Sequence, residues 1–240
     1  MVKKTDKKTD TKSKKSDAKS EKKKPAFVKT QAYPIEEALE HTKKLSKAKF
    51  DASVEAHFKL GIDASKGDQQ IRSAVSLPHG TGKTIKVAAF VSDDKVKATK
   101  DAGADFAGNE DLIAEIKKTE KTDFAVAVAE PALMKDLSKI AKILGTRGLM
   151  PSPKNQTVTP DPVKAVEELK KGKISFKNDD TGNVHAVIGK VSFKTNQLLE
   201  NYEALLNAVK KAKPTGSKGV YLKNIAISSS MGPGIKVQIS

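Results

Sequence analysis

PHGTGKT, residues 78–84, closes on Gly-Lys-Thr as phosphate-cradling loops do, with a Lys to reach nucleotide phosphates and a Thr to hold Mg²⁺. Such a loop also needs a glycine five residues before its second one, and it must open directly into a helix whose N-terminal N–H groups face the phosphates. Here Leu77 stands where that first glycine belongs. Beyond the loop, Ile85, Val87, Ala89 and Val91 alternate with Lys86, Ala88 and Phe90, which is the pattern of a strand. PHGTGKT therefore reads as a flexible connection between two strands, and a nucleotide-dependent enzyme built on it is the alternative reading. Other chemistry is sparse. His41, His79 and His185 are scattered beside no acid or nucleophile pattern and have no metal-ligand spacing. Asp93-Asp94 and Asp179-Asp180 are adjacent acids that point to different sides of a strand or turn. With no Cys there is no thiolate zinc site, disulfide or thiol nucleophile. No catalytic residue, metal or cofactor is expected.

What the chain does advertise is charge. The 240 residues carry a formal +16, which suits a polyanionic partner. Residues 1–25 hold eleven Lys against four acids, residues 26–80 eight basic residues against seven acids, residues 81–159 thirteen against eleven, and residues 160–240 thirteen against seven. Outside the N-terminal segment, then, the basic excess lies in the last third. Arg72 and Arg147 are the only arginines, so contacts to phosphate would be point charges more than bidentate forks, although an AT-rich coding sequence gives the same bias. No stretch approaches the roughly 18 apolar residues of a membrane span, and the Lys-rich N-terminus lacks the apolar segment of a secretory signal; a soluble cytosolic protein is expected.

Two places could meet a polyanion through more than charge. Phe50 follows Lys49 on a turn before a strand, where an aromatic ring could either pack on a helix or stack on a ribose or base. SSSMGPG, residues 228–234, ends a strand with hydroxyls, a Met and a glycine turn, which is either an ordinary strand exit or a surface open to close approach. KNDDTGN, residues 177–183, reads by spacing as a hairpin loop.

The elements that must position these residues fall into two textures. Residues 1–24 have Val2 as their only aliphatic side chain larger than Ala and are expected to be a disordered Lys-rich arm. Pro34 opens a helical stripe of Ile35, Ala38, Leu39 and Leu45, and VEAHFKLGI and IRSAVSLP follow as strands. From 84 to 159 the pattern becomes strand, helix, strand, helix: TIKVAAFVS, residues 109–120, DFAVAVAE and PALMKDLSKIAKILG. Continuous apolar strands alternating with helices predict a small parallel sheet covered on both faces. After GLMPSPKNQTVTP the first texture returns, with a helix from Asp161-Pro162 to Lys171, strands in KISFKND and NVHAVIGKVSF, a helix over 195–213 and a final strand in GVYLKNIAISSS. The simplest architecture joins 25–80 and 160–240 as one discontinuous α+β domain of split β-α-β type and inserts 81–159 as a three-layer, Rossmann-like α/β domain. Gly80 and Gly82 in PHGTGKT, and Gly148, Pro151 and Pro153 in GLMPSPK, would then be the hinge residues at the two crossings.

Four stretches in this order, KFDASVEAHFKLGID, DQQIRSAVSLPHGTGK, ILGTRGLMPSPK and SSSMGPGIKV, resemble the bacterial-type ribosomal protein of the large subunit's mobile side stalk, the ribosomal protein L-one family. The resemblance runs over residues 25–240, with Thr146 and Ser152 as small departures, and it leaves the Lys-rich extension unexplained. It implies a non-enzymatic two-domain structural protein, a monomer within the ribosome. Such a protein holds a helical region of large-subunit rRNA through its discontinuous domain, contacts transfer RNA leaving the exit site, and in many bacteria represses its own messenger. It also implies an rRNA-binding set: Phe50 with Lys49, Ser53, Glu55 and His57 around it, then Ser230, Met231 and Gly232, and Lys177, Asn178 and Thr181 on the hairpin loop.

Overall fold

The computed structural model describes residues 31–217 and 219–239. The Lys-rich arm expected over 1–24 lies outside the described residues. The chain opens with strand β1 (Ala32–Tyr33) and helix α1 (Ile35–Leu45), whose Ala38, Leu39 and Thr42 face inward while Glu36 and Glu37 occupy the dipole-favoured first turn. Strands β2 (Ser53–Leu60) and β3 (Arg72–Ser76) follow, and then the parallel module: β4 (Val87–Phe90), α2 (Asp93–Asp101), β5 (Phe106–Gly108), α3 (Glu110–Thr119), β6 (Val126–Ala129) and the short helices α4 (Met134–Leu137) and α5 (Ala141–Thr146). Helix α6 (Pro162–Lys171), strands β7 (Lys173–Lys177) and β8 (Asn183–Lys190), helix α7 (Thr195–Lys211) and strands β9 (Leu222–Ser229) and β10 (Ile235–Val237) complete it.

Five strands form one sheet in the order β1-β10-β9-β2-β8, with β2 an interior strand antiparallel to both β8 and β9. Strict alternation along β2 puts Val54, Ala56, Phe58 and Leu60 on the inner face, where α1 and α7 seal the core with Leu39, Leu198, Leu205 and Val209. The outer face is left to solvent. Beside this sheet, β3 and β7 make a separate antiparallel ribbon. The third layer is the parallel sheet β5-β4-β6. Its β4 is buried on both faces, as its unbroken apolar run requires.

The structure moves one boundary. Helix α6, expected to belong with the last third, packs Ala165, Val166 and Leu169 against Val87, Ala89, Val91 and Val128, the second face of the parallel sheet. Val158 pairs beside Ala129 at the edge of β6. By packing, then, the chain stays with the parallel sheet through α6 and leaves it at Gly172. Gly148, Pro151 and Pro153 lie between α5 and α6, ahead of the helix that covers the parallel sheet. The first crossing and the return touch: a Cβ built on Gly172 would come 2.3 Å from Gly80 Cα, and Leu77 N–H donates to the Gly172 carbonyl at 3.4 Å. Buried Asn201 of α7 fastens the same spot. Its Oδ1 accepts from His79 N–H at 3.0 Å, and its amide donates to the carbonyls of Gly80 (2.9 Å) and Ile188 (2.8 Å). Half of PHGTGKT is thus clamped, and Gly82–Thr84 remain exposed.

Other differences have local causes. Helix α2 is too polar to show an apolar stripe, and β5 is three residues long, so neither stands out in the sequence. PALMKDLSKIAKILG is not one helix: it alternates 3₁₀ turns at Pro131–Leu133 and Ser138–Ile140 with α4 and α5. The strand in GVYLKNIAISSS is not the last, because β10 turns back along it and takes β1 as a parallel edge partner.

Candidate nucleic-acid interface

The glycines of PHGTGKT do not make a phosphate cradle. Gly80 and Gly82 have φ of +63° and +69°, but the loop leads into strand β4 and not into a helix. The other place where open α/β sheets take nucleotides, the crevice at the carboxyl ends of the parallel strands, is filled from within. Glu130 accepts from Ser92 N–H at 3.1 Å and Ser92 Oγ at 2.5 Å and pairs with Lys95. The Lys95 ammonium, then the Ser92 hydroxyl, hold its carboxyl below the usual range. Asp93 and Asp94, in the first turn of α2, would repel a phosphate there. Among the described residues no group of three or more His, Cys, Asp or Glu could hold a metal ion. Lys83→Ala should therefore leave both melting temperature and RNA affinity unchanged. A titration with a fluorescent ATP analogue checks this: saturable binding by the wild type that the variant loses would restore the nucleotide reading.

The sheet's open face is where polar side chains converge. Glu55, His57 and Lys59 of β2 stand between Val187, His185 and Asn183 of β8 and Ser228, Ala226 and Asn224 of β9. From Ser53 to Lys59 the face runs about 20 Å. At its centre two imidazoles 128 residues apart meet, His57 Nδ1 lying 2.8 Å from His185 Nδ1. His57 Nε2 lies 2.9 Å from Ser228 Oγ, and His185 Nε2 lies 3.6 Å from Asp179 Oδ2. A gap of that length has room for one hydrogen at most. Burial, and then His185, push the His57 pKa down, against a smaller opposing pull from Glu55. The sequence had placed no acid beside His79 or His185, yet His79 Nε2 meets Glu200 Oε2 at 2.7 Å and His185 meets Asp179.

The sign of the linkage follows. The unfolded chain protonates His57 near the usual value of about 6.5, whereas the folded protein resists. Between those two values the unfolded state holds more protons, and stability falls as pH falls. Melting temperature should decline from pH 7.5 toward 5.5 in the wild type, above the carboxylate range. In His57→Gln that part of the decline should shrink. An unchanged profile would show that the pair does not govern it.

Phe50 and Met231 share one end of this face. Ser230 N–H donates to the Ser53 carbonyl at 2.9 Å, which ties the SSSMGPG turn to the start of β2. Asp51 fixes the turn carrying Lys49 and Phe50 by accepting from Ser192 Oγ at 2.9 Å and Ser192 N–H at 3.2 Å, and the hydroxyl bond lowers its pKa. Phe50 is 61% exposed and Met231 95%, so neither ring nor thioether is a core residue. Met231 also takes φ +64°, the left-handed region. Ser53 is buried and offers its backbone carbonyl. Gly232 has an internal reason as well, since a Cβ there would lie 2.2 Å from Ser229 Oγ.

The 177–183 loop sits at the opposite end and is organised by Asp179. Its carboxylate accepts from Asn183 N–H (2.6 Å), Thr181 Oγ1 (2.8 Å), Thr181 N–H (3.0 Å) and Asn183 Nδ2 (3.0 Å). These bonds, the Asn183 backbone first, drive its pKa far below the usual range. Thr181 presents its carbonyl to Lys59 Nζ at 2.6 Å. Asn178 is occupied internally, taking Ile71 N–H at 2.7 Å on Oδ1 and giving Nδ2 to the Asp179 carbonyl. Lys177 is exposed at the end of β7, directly opposite Arg72 of β3. The sequence reading did not place His185 or Lys59 on this face. Only the period-2 alternation of β8 and β9, read together with β2, could have found them.

The ribosomal protein L1p/L10e family profile matches residues 41–233. The chain is 51% identical to the large ribosomal subunit protein uL1 of Mesoplasma florum over 88% of this chain and 93% of that protein. It is 49% identical to the protein of the same name in Kosmotoga olearia, over 87% of this chain and 90% of that protein. The chain belongs to the ribosomal protein L1p/L10e family, and the relatives matched here are named as proteins of the large ribosomal subunit.

Proposed function

We propose that this chain binds large-subunit rRNA through the open face of its five-stranded sheet, as a ribosome-associated, cytoplasmic structural component of the mobile side stalk. The observation that carries this is the exposure of Phe50 and of left-handed Met231 at one end of a face that runs through Glu55 and the His57–His185 pair to Lys59. Aromatic and thioether surfaces suit ribose and base faces, and polar strand residues suit 2′-hydroxyls. The strand order, with α1 and α7 on one side, supports an α+β domain of split β-α-β type, formed by the segments before Leu77 and after Gly172. On this reading the parallel module turns about the paired crossings at Gly80 and Gly172 and meets transfer RNA leaving the exit site. The same face would recognise an rRNA-like fold in the chain's own messenger and repress its translation.

The test is direct. Native protein should sediment with large ribosomal subunits, and purified chain should retain a large-subunit rRNA fragment on a filter in preference to random RNA of equal length. Equal retention of both would leave only counterion release and defeat the specific reading.

A further inference from the structure

The register of β2 and β8 sets His57 directly opposite His185, and their two Nδ1 atoms meet at 2.8 Å on the open face of the sheet. Each ring's other nitrogen has a neighbour able to accept an N–H: Ser228 Oγ lies 2.9 Å from His57 Nε2, and Asp179 Oδ2 lies 3.6 Å from His185 Nε2. Asp179 is held ionised by its own turn, the Asn183 backbone bond first. With both ring protons drawn to Nε2 in this way, two Nδ1 lone pairs face one another across the gap and call for a cation. Carboxylate and hydroxyl partners of this kind are what orient histidines that ligate metals. The separation also selects among ions. Two metal–nitrogen bonds of roughly 2 Å at a right angle span about 2.8 Å, whereas a tetrahedral angle spreads the same bonds to about 3.3 Å. The right angle is the preference of copper(II) and nickel(II).

The surroundings admit a small hydrated ion. β2 is hydrogen-bonded along both edges, which fixes the backbone at His57, while the His185 side chain is 52% exposed and leaves the outer side of the pair open to water. Ala226, opposite His57 on β9, is too short to cover it. Glu55, two residues along the same face, brings a negative charge, and Lys59 on the other side is drawn to the hairpin by the Thr181 carbonyl at 2.6 Å. No third His, Cys, Asp or Glu completes the set among the described residues. We propose that His57 and His185 form a two-histidine site for a divalent ion of the copper(II) or nickel(II) type, bound through both Nδ1 atoms in adjacent positions with water in the others.

The site is tested on RNA-free protein, independently of the rRNA reading. Copper(II) chloride should bind with an axial EPR spectrum split by two imidazole nitrogens, and the melting temperature should rise with added metal. His57→Gln and His185→Gln should each weaken binding about tenfold or more and lose the two-nitrogen signature, since either change leaves a single imidazole. A second measurement needs no variant. The sequence holds four histidines and no Cys, so substoichiometric copper(II) added to the wild type should broaden the ring-proton NMR signals of His57 and His185 ahead of those of His41 and His79. Equal affinity in the wild type and both variants would overturn the site. Loss in only one variant would reduce it to a single exposed imidazole and overturn it too, as would broadening led by His41 or His79.

Discussion

Gly172→Ala should lower stability by about 3 kcal/mol or more, a large share of the 5–15 kcal/mol typical of a folded domain. Two effects add. Gly172 sits at φ +109°, outside the regions an L side chain prefers, and strain of that kind is worth about 1–3 kcal/mol. Its Cβ would also lie 2.3 Å from Gly80 Cα, a backbone atom that cannot swing aside as a side-chain tip would. To relieve the clash the two crossings must part. That pulls Gly80 from Asn201, whose carboxamide is buried with three backbone partners, and leaves polar groups unpaired. Gly148→Ala is the matched control: φ is +70°, and nothing lies within 4 Å of the added Cβ. It should cost only the left-handed penalty of about 1–2 kcal/mol. Urea denaturation of the two variants decides the matter. Equal losses would mean that the crossings yield freely, and the paired-glycine pivot would have to be abandoned.

The same spot shows what a sequence can and cannot say. Helix α6 begins at Pro162 and ends before a left-handed Gly172, both as its residues predict, because capping is a local matter. Which sheet it covers is not local. Its apolar stripe of Ala165, Val166 and Leu169 would fit either layer, and only the unoccupied second face of β4 decides it. The site divides in the same way. Phe50 and Met231 could be singled out as residue types, but their shared end of the sheet comes from β2 pairing with β9 across the length of the chain. The His57–His185 contact is likewise a product of register. No spacing in either strand announces it.

Met231 offers the sharpest test of the RNA reading, because stability and affinity should respond to its removal with opposite signs. A Met held at φ +64° with its side chain 95% exposed gains no core packing to offset a left-handed backbone worth about 1–2 kcal/mol. Met231→Gly should remove that strain and leave stability equal or higher. The same change deletes the thioether and should lower affinity for the rRNA fragment by about 1–3 kcal/mol, the range for a lost contact to a base face. Met231→Ala keeps the backbone cost and should show the affinity loss alone. Phe50→Ala, from the neighbouring exposed position, should behave like Met231→Ala, and because both sit at one end of the sheet the double variant is expected to lose less than the two added together. Gly232 is the wrong residue for this purpose: any Cβ there meets Ser229 Oγ at 2.2 Å, so a substitution would disturb the turn and the contact together. Melting curves beside filter binding separate the outcomes. If Met231→Gly melted several degrees lower while its folded fraction still bound rRNA with wild-type affinity, Met231 would be a structural residue, and the end of the sheet it shares with Phe50 would lose its claim to the RNA.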